Sequence, residues 1–187
     1  MIARPWVYDL MRLFFGLRTH LRHIRPHLAR AHGNTVLDLG AGTGVLASLL
    51  PPTAYYIWFD NDTEKLEGFA SPKIPHSAII GDATQSSFRD RSVDLAICVN
   101  VSHHLSDAQL SRVLGELARI VKGKLILVDG LKAPGFLLSN ILWRYDRGEY
   151  PRGKDTLASA VEQWFKVEWK ELYCTYRPYL LCVATPL

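Results

Sequence analysis

The sequence predicts a doubly wound α/β fold, with helices on both faces of a mainly parallel sheet. Three observations carry that expectation. Short apolar runs alternate with helical segments, a glycine-rich turn follows the first run, and acidic or amide residues stand at the ends of successive runs. Near-continuous apolar strands separated by helices imply parallel strands buried on both faces and joined by right-handed crossovers.

In the N-terminal segment, Val7, Leu10, Met11, Phe14, Leu17, Leu21 and Ile24 recur at helical spacing opposite Arg12, Arg18, Arg22 and Arg25. This predicts an amphipathic helix, restarted at Pro26 and closed by Gly33. The first strand is TVLDL (Thr35–Leu39), and a helix over Gly44–Leu50 is stopped by Pro51 and Pro52. Further strands are expected at Ala54–Asp60, Ala78–Gly81, Val93–Val99 and Leu125–Asp129. Before the last of these, Ser106 and Gln109 have capping-box spacing, and Leu110, Val113, Leu114, Leu117, Ile120 and Val121 make one apolar face of a helix ending at Gly123. Beyond residue 130, helices are expected at Phe136–Tyr145 and Asp155–Phe165, then strands at Val167–Thr175 and Tyr179–Thr185. The link Tyr176–Pro178 is too short for anything but an antiparallel pair.

Composition narrows the functional classes. A chain of 187 residues with 48% hydrophobic and 21% charged residues has the profile of one globular domain rather than a disordered segment. No apolar run approaches the ~20 residues of a membrane-spanning helix. Asp9 and Arg12 interrupt what would be the apolar stretch of a secretory signal, so a cytoplasmic setting is expected. Cys98, Cys174 and Cys182 lie in apolar strand-like runs without metal-ligand spacing, which predicts buried thiols and no metal site. Residues 1–32 hold six arginines against Asp9 alone, so any anionic partner meets this segment first. A lid over the ligand site is the default reading of that segment. Peripheral contact of residues 1–30 with an anionic membrane is a rival, and nucleic acid is disfavoured because no binding module accompanies the arginines.

The sharpest motif is Asp38-Leu-Gly-Ala-Gly-Thr-Gly44, between the first strand and the first helix. Glycines let the chain turn tightly and let a ligand touch main chain, and a helix N-terminus offers N–H groups to negative charge. The spacing is GxGxG, one residue short of the dinucleotide fingerprint. Asp60 ends the second strand 22 positions after Asp38, where a carboxylate can bind ribose hydroxyls. Asp82 and Ala83 follow the third strand, where they can read an adenine edge. Asn100 to His104 follow the fourth, at the expected reversal of strand order.

VLDLGAGTG (Val36–Gly44), WFDND (Trp58–Asp62), GDAT (Gly81–Thr84), VDLAICVNVSHHLSD (Val93–Asp107) and KGKLILVDG (Lys122–Gly130) stand in family order. Over about residues 30–130 the chain resembles the class I S-adenosylmethionine (SAM)-dependent methyltransferases, specifically the small-molecule type 11 group. The resemblance implies a Rossmann-like sheet of seven strands with an antiparallel last strand, and the lack of any repeat, linker or low-complexity tract makes a single domain over 1–187 the economical count. Residues 1–32 would form a helical lid, 33–130 the SAM-binding core, and 131–187 acceptor-side helices and a C-terminal β-hairpin. It implies that Gly40, Ala41 and Gly42 hold the methionine part of SAM, with Asp38 near its amino group and Gly44 in the same cofactor-binding loop. Asp60 would hold the ribose, Asn61 would lie beside the adenine, Asp82 and Ala83 would bracket its edge, and Asn100 and Val101 would line the methionyl side.

On this reading S-adenosylhomocysteine is the product, and His103 is the candidate general base, beside His104. Asn100-Val-Ser102 departs from the Asn-Pro-Pro-aromatic motif associated with nucleobase or glutamine nitrogens. An oxygen acceptor leads, with carbon or amine nitrogen open. Tyr8, Phe14, Phe15, Trp143, Arg144, Tyr145, Arg147 and Tyr150 supply aromatic and cationic groups for a small aromatic or amphipathic acceptor. The alternatives are a non-catalytic SAM-binding partner subunit, a methyltransferase acting on a membrane lipid, and a nicotinamide oxidoreductase, the last disfavoured by the glycine spacing.

Overall fold

The computed structural model describes residues 16–69, 73–132, 148–175 and 177–187. The elements are α1 (Leu17–Leu28), β1 (Thr35–Leu39), a 3-10 turn (Val45–Leu49), β2 (Tyr55–Asp60), α2 (Thr63–Glu67), β3 (His76–Ile80) and β4 (Val93–Val99). A second 3-10 turn (Ser102–His104) precedes α3 (Asp107–Ile120), β5 (Val121–Gly130), α4 (Lys154–Glu162), β6 (Phe165–Cys174) and β7 (Pro178–Pro186).

The strands form one seven-stranded sheet in the order β3-β2-β1-β4-β5-β7-β6. Strands β1 to β5 pair in parallel, and β7 runs antiparallel to both neighbours, as the sequence implied. Strand order reverses between β1 and β4, so the C-terminal ends of β1 to β5 share one edge with a crevice at the reversal.

Alternating residues feed two cores. Val36, Tyr56, Trp58, Ile126, Val128 and Leu181 pack with Ile24 and Leu28 of α1 on one face. Leu37, Ala96, Leu125, Leu127 and Leu180 pack with Leu110, Leu114 and Leu117 of α3 and Leu157 and Val161 of α4 on the other. The capping box of α3 forms as its spacing predicts: Gln109 N–H donates to Ser106 Oγ at 3.3 Å, and Ser106 N–H donates to Gln109 Oε1 at 2.9 Å.

Several boundaries differ from expectation. Helix α1 runs through Pro26 instead of restarting there. Pro26 is exposed and lacks one amide, while Ile24 and Leu28 beside it are fully buried, so packing outweighs the lost bond. The expected helix Gly44–Leu50 is only a five-residue 3-10 turn, cut short by the two prolines. Helix α3 passes directly into β5, and Gly123 lies inside that strand. A Cβ there would collide with the Asp94 carbonyl oxygen, so this glycine permits close approach of β4 and β5 beside their register shift at Val93/Leu95. Helix α4 ends at Glu162, and Phe165 opens β6 instead. Cys98 and Cys182 are buried as expected, but Cys174 is exposed, because β6 is an edge strand whose alternate residues face outward.

The described part of the N-terminal segment buries Leu17, His20, Ile24 and Leu28 while Arg18, Arg22 and Arg25 face outward. That apolar face is therefore used within the protein rather than offered to a bilayer. No described helix is long and apolar enough to cross a membrane. Residues 1–15 and the expected helix Phe136–Tyr145 lie outside the described residues.

Candidate functional site

The glycine loop is tied down onto β2. Gly40 and Ala41 N–H donate to the Phe59 carbonyl at 2.8 and 3.1 Å. Trp58 Nε1–H donates to the Gly42 carbonyl at 2.8 Å, and Gly42 N–H donates to Asp60 Oδ2 at 2.9 Å. Gly40 (φ 70°) and Gly42 (φ 56°) occupy left-handed backbone for different reasons. A Cβ at Gly40 would run into Val101, whereas no described atom lies within 4 Å of a Cβ at Gly42, which leaves bare main chain at the reversal of strand order. Because Val45–Leu49 is a single short 3-10 turn, the expected anion-binding helix N-terminus is not what the loop provides. Its recognition chemistry is its own backbone and the carboxylates around it.

Those carboxylates have distinct surroundings. Asp38, 2% exposed, accepts from Tyr56 Oη at 2.7 Å. Burial, and then the Asp38 charge, push the Tyr56 hydroxyl far above the usual tyrosine range. Asp60 is half-buried, and besides Gly42 it accepts from Asp62 N–H at 3.1 Å. Asn61 is exposed beside it, and Asp62 caps α2 by accepting from Glu64 N–H at 2.9 Å. Asp82 is exposed, and its Oδ1 accepts from both Thr84 N–H and Thr84 Oγ1–H at 2.8 Å. The Thr84 backbone and side-chain bonds hold the Asp82 carboxyl below its usual range. Ala83, next to it, packs against the core. Gly81 N–H donates to the Asp60 carbonyl at 3.0 Å, linking the end of β3 to the same edge.

After β4 the chain turns sharply at Asn100, whose φ of 58° is left-handed and whose N–H donates to the Val128 carbonyl at 2.9 Å. This turn lays Val101 over Gly40 and carries Ser102 and His103 across to β5, where they meet Asp129. Ser102 Oγ–H donates to Asp129 Oδ2 at 2.5 Å, His103 Nδ1 lies 2.5 Å from Oδ1, and Gly130 N–H donates to Oδ1 at 2.7 Å. His103 is buried, and His104 is exposed with its ring centroid 4.2 Å away. Arg152 fastens the turn by donating to the Ser102 and Leu105 carbonyls, each at 2.7 Å, and to Asp107 Oδ1 at 2.6 Å.

The structure thus joins the loop Gly40–Gly44 to Asp60 by a hydrogen bond and to Val101 by contact, with Asp38 buried in β1 just before it. Asp82, Ala83 and Asn61 stand on the same edge, and His103 and His104 at its β4 corner. Asp129, Ser102 and Arg152 were not anticipated. The signal for Asp129 was present in LVDG, an acid at a strand end like Asp38 and Asp60. Tyr8, Phe14, Phe15, Trp143, Arg144, Tyr145 and Arg147 lie outside the described residues, and Tyr150 is 41% exposed.

Comparison with known proteins bears on the fold and on the family that the chain is similar to. Residues 36–124 match a family model described as a methyltransferase domain. An uncharacterized methyltransferase of Anoxybacillus flavithermus is 26% identical over 100 residues, covering 52% of this chain and 47% of that protein. The chain thus spans about half the length of the curated relative it matches. A protein of Pyrococcus horikoshii OT3 superposes with a TM-score of 0.73 at 21% identity, over 91% of each chain. The magnesium protoporphyrin IX methyltransferase of Synechocystis PCC 6803, solved with bound S-adenosylhomocysteine, superposes with a TM-score of 0.75 at 17% identity, over 92% of this chain and 84% of that one. Residues 36–124 are thus similar to the methyltransferase-domain family, whose methyl donor is SAM, and the sheet that contains them has the Rossmann-like fold of the solved methyltransferases it superposes on.

Proposed function

We propose that the chain transfers a methyl group from SAM to an oxygen nucleophile of a small aromatic or amphipathic molecule. The residues present fit the donor on two counts. Bare main chain at Gly42 leaves room for a ligand against the loop, and Asp38 in β1 before the loop and Asp60, bonded to the Gly42 amide, offer carboxylates for an ammonium and a ribose. Gly40, Ala41 and Gly42 would hold the methionine part, with Gly44 in the same cofactor-binding loop, Asp60 the ribose, and Asn61, Asp82 and Ala83 the adenine. Asn100 and Val101 would line the methionyl side. When bound, SAM supplies an activated methyl on a positively charged sulfur.

The observation that carries an oxygen acceptor is the buried His103 held on Asp129 at the β4 corner of the edge. A histidine so placed can take the proton of an acceptor hydroxyl, worth about 10²- to 10⁴-fold in rate. The remaining work is alignment of acceptor and methyl in a water-poor cleft, which can supply ~7–11 kcal/mol in favourable cases. His104, with Tyr8, Trp143, Arg144 and Arg147, is proposed to shape the acceptor pocket. We read residues 1–187 as one domain acting in the cytoplasm, a setting that the free thiols support.

The test is incubation with SAM and a panel of phenols, hydroxy acids and amines, with mass-spectrometric detection of S-adenosylhomocysteine. Product formation with a hydroxyl acceptor supports the reading. Turnover confined to amines would replace the oxygen assignment, and failure to bind SAM would remove the function.

A further inference from the structure

We propose that Asp129 is a positioning residue for methyl transfer: it holds neutral His103 in the tautomer protonated on Nδ1 and so makes Nε2 the proton-accepting nitrogen. The proposal rests on the reading of His103 as base and adds what sets that base in its working form.

The argument begins with the carboxylate. Asp129 is 1% exposed, at the end of a strand whose neighbour β4 delivers the Ser102–His104 turn directly over it. Oδ2 accepts from Ser102 Oγ–H at 2.5 Å and from His103 backbone N–H at 3.1 Å. Oδ1 accepts from Gly130 N–H at 2.7 Å and faces His103 Nδ1 at 2.5 Å. Burial pushes this carboxyl up, but the hydrogen bonds from the His103 ring, Ser102 and the Gly130 amide, with the added pull of the ring when it is protonated, bring it below its usual range. Asp129 is therefore an ionised, acceptor-only group. A bare nitrogen lone pair could not sit 2.5 Å from it, so the proton between them belongs to Nδ1. In neutral imidazole that assignment leaves Nε2 as the acceptor.

The rest of the cluster restricts the same geometry. The Ser102 hydroxyl and two backbone amides fix the rotation of the carboxylate, which presents Oδ1 to the ring. Gly148 backs the ring, because a Cβ there would collide with His103 Cδ2. Among the described residues, the charged and titratable groups around His103 include Asp129 from β5, His104 in the same turn, and Arg152, which donates to the Ser102 carbonyl and pairs with Asp107 of α3. Asp129 is in direct hydrogen-bond contact with the imidazole. It also stabilises the positive charge that His103 acquires when it takes a proton.

The test is long-range proton–nitrogen correlation NMR of intact protein labelled with ¹⁵N-histidine, with S-adenosylhomocysteine present. His103 is assigned by the signal lost in His103→Gln. The expected result is a neutral His103 protonated on Nδ1. In Asp129→Asn that preference should be lost, and the titration midpoint of His103 should fall by roughly 1–3 pH units. A purely structural role for Asp129 would change thermal stability without moving either signal. An Nε2-protonated His103 in the unmodified protein overturns the proposal without recourse to any variant, and so does an unchanged tautomer and midpoint in folded Asp129→Asn. Calorimetry with S-adenosylhomocysteine separates this from the parent reading: absent binding removes the methyl-transfer function, while the tautomer remains readable.

Discussion

The amide of Gly42 donates a 2.9 Å hydrogen bond to the carboxylate of Asp60, so the residue assigned to the ribose also clasps the glycine loop to β2. With the bond from Asp62 N–H, the carboxylate organises both the loop before it and the turn after it. Removing Asp60 therefore disturbs the site before any ligand arrives.

Asp60→Ala is expected to lower the stability of the ligand-free protein by about 1.5 kcal/mol, the low end for hydrogen bonds to a charged acceptor because the group is half-exposed. Denaturant titration without donor checks this. An unchanged midpoint would mean that Asp60 serves the ligand alone.

Gly40→Ala combines left-handed backbone strain with a collision against Val101. The strain alone costs roughly 1–2 kcal/mol. Adding Val101→Ala should recover the collision component but not the strain. A double-mutant cycle that shows strict additivity would contradict the contact.

Tyr56 keeps its proton in the folded state to higher pH than in the unfolded chain, because burial and the Asp38 charge both raise its pKa. Above pH ~10 the unfolded chain releases that proton while the folded one retains it, so this contribution to stability is lost as pH rises. Tyr56→Phe is expected to flatten the alkaline limb while losing about 1–3 kcal/mol near neutrality, because Asp38 loses a buried donor. Unfolding midpoints between pH 8 and 11 test both signs, and an alkaline limb as steep as the parent's would refute the assignment.

His103→Gln should reduce turnover of a hydroxyl acceptor by roughly 10²- to 10⁴-fold and leave the affinity for SAM within about twofold. Steady-state kinetics paired with calorimetry read the two effects separately. Retention of full turnover would leave alignment as the whole of the protein's contribution.

The parts of the fold legible in the sequence are those written locally. The run Val36–Leu39, the glycines after it and Asp60 at the end of the next run need no knowledge of topology, and the Ser106/Gln109 box marks its own helix. The antiparallel β6–β7 pair followed from link length alone. Helix α2 escaped notice because five residues are too few to show a helical period. Gly123 and Pro26 look like punctuation in the sequence, whereas strand contact at Asp94 and the buried Ile24 and Leu28 decide their conformations. The pairing of His103 with Asp129 spans 26 residues and exists because β4 and β5 are neighbours. His103 was identifiable on its own, but its partner required the sheet.

The most direct test of a SAM cradle at this sheet edge is calorimetric titration of the intact protein with S-adenosylhomocysteine, with NADH as the comparison ligand. Saturable one-to-one heat with the first and none with the second is the expected result. The absence of heat and of any thermal shift with S-adenosylhomocysteine, or tighter binding of NADH, would contradict the account.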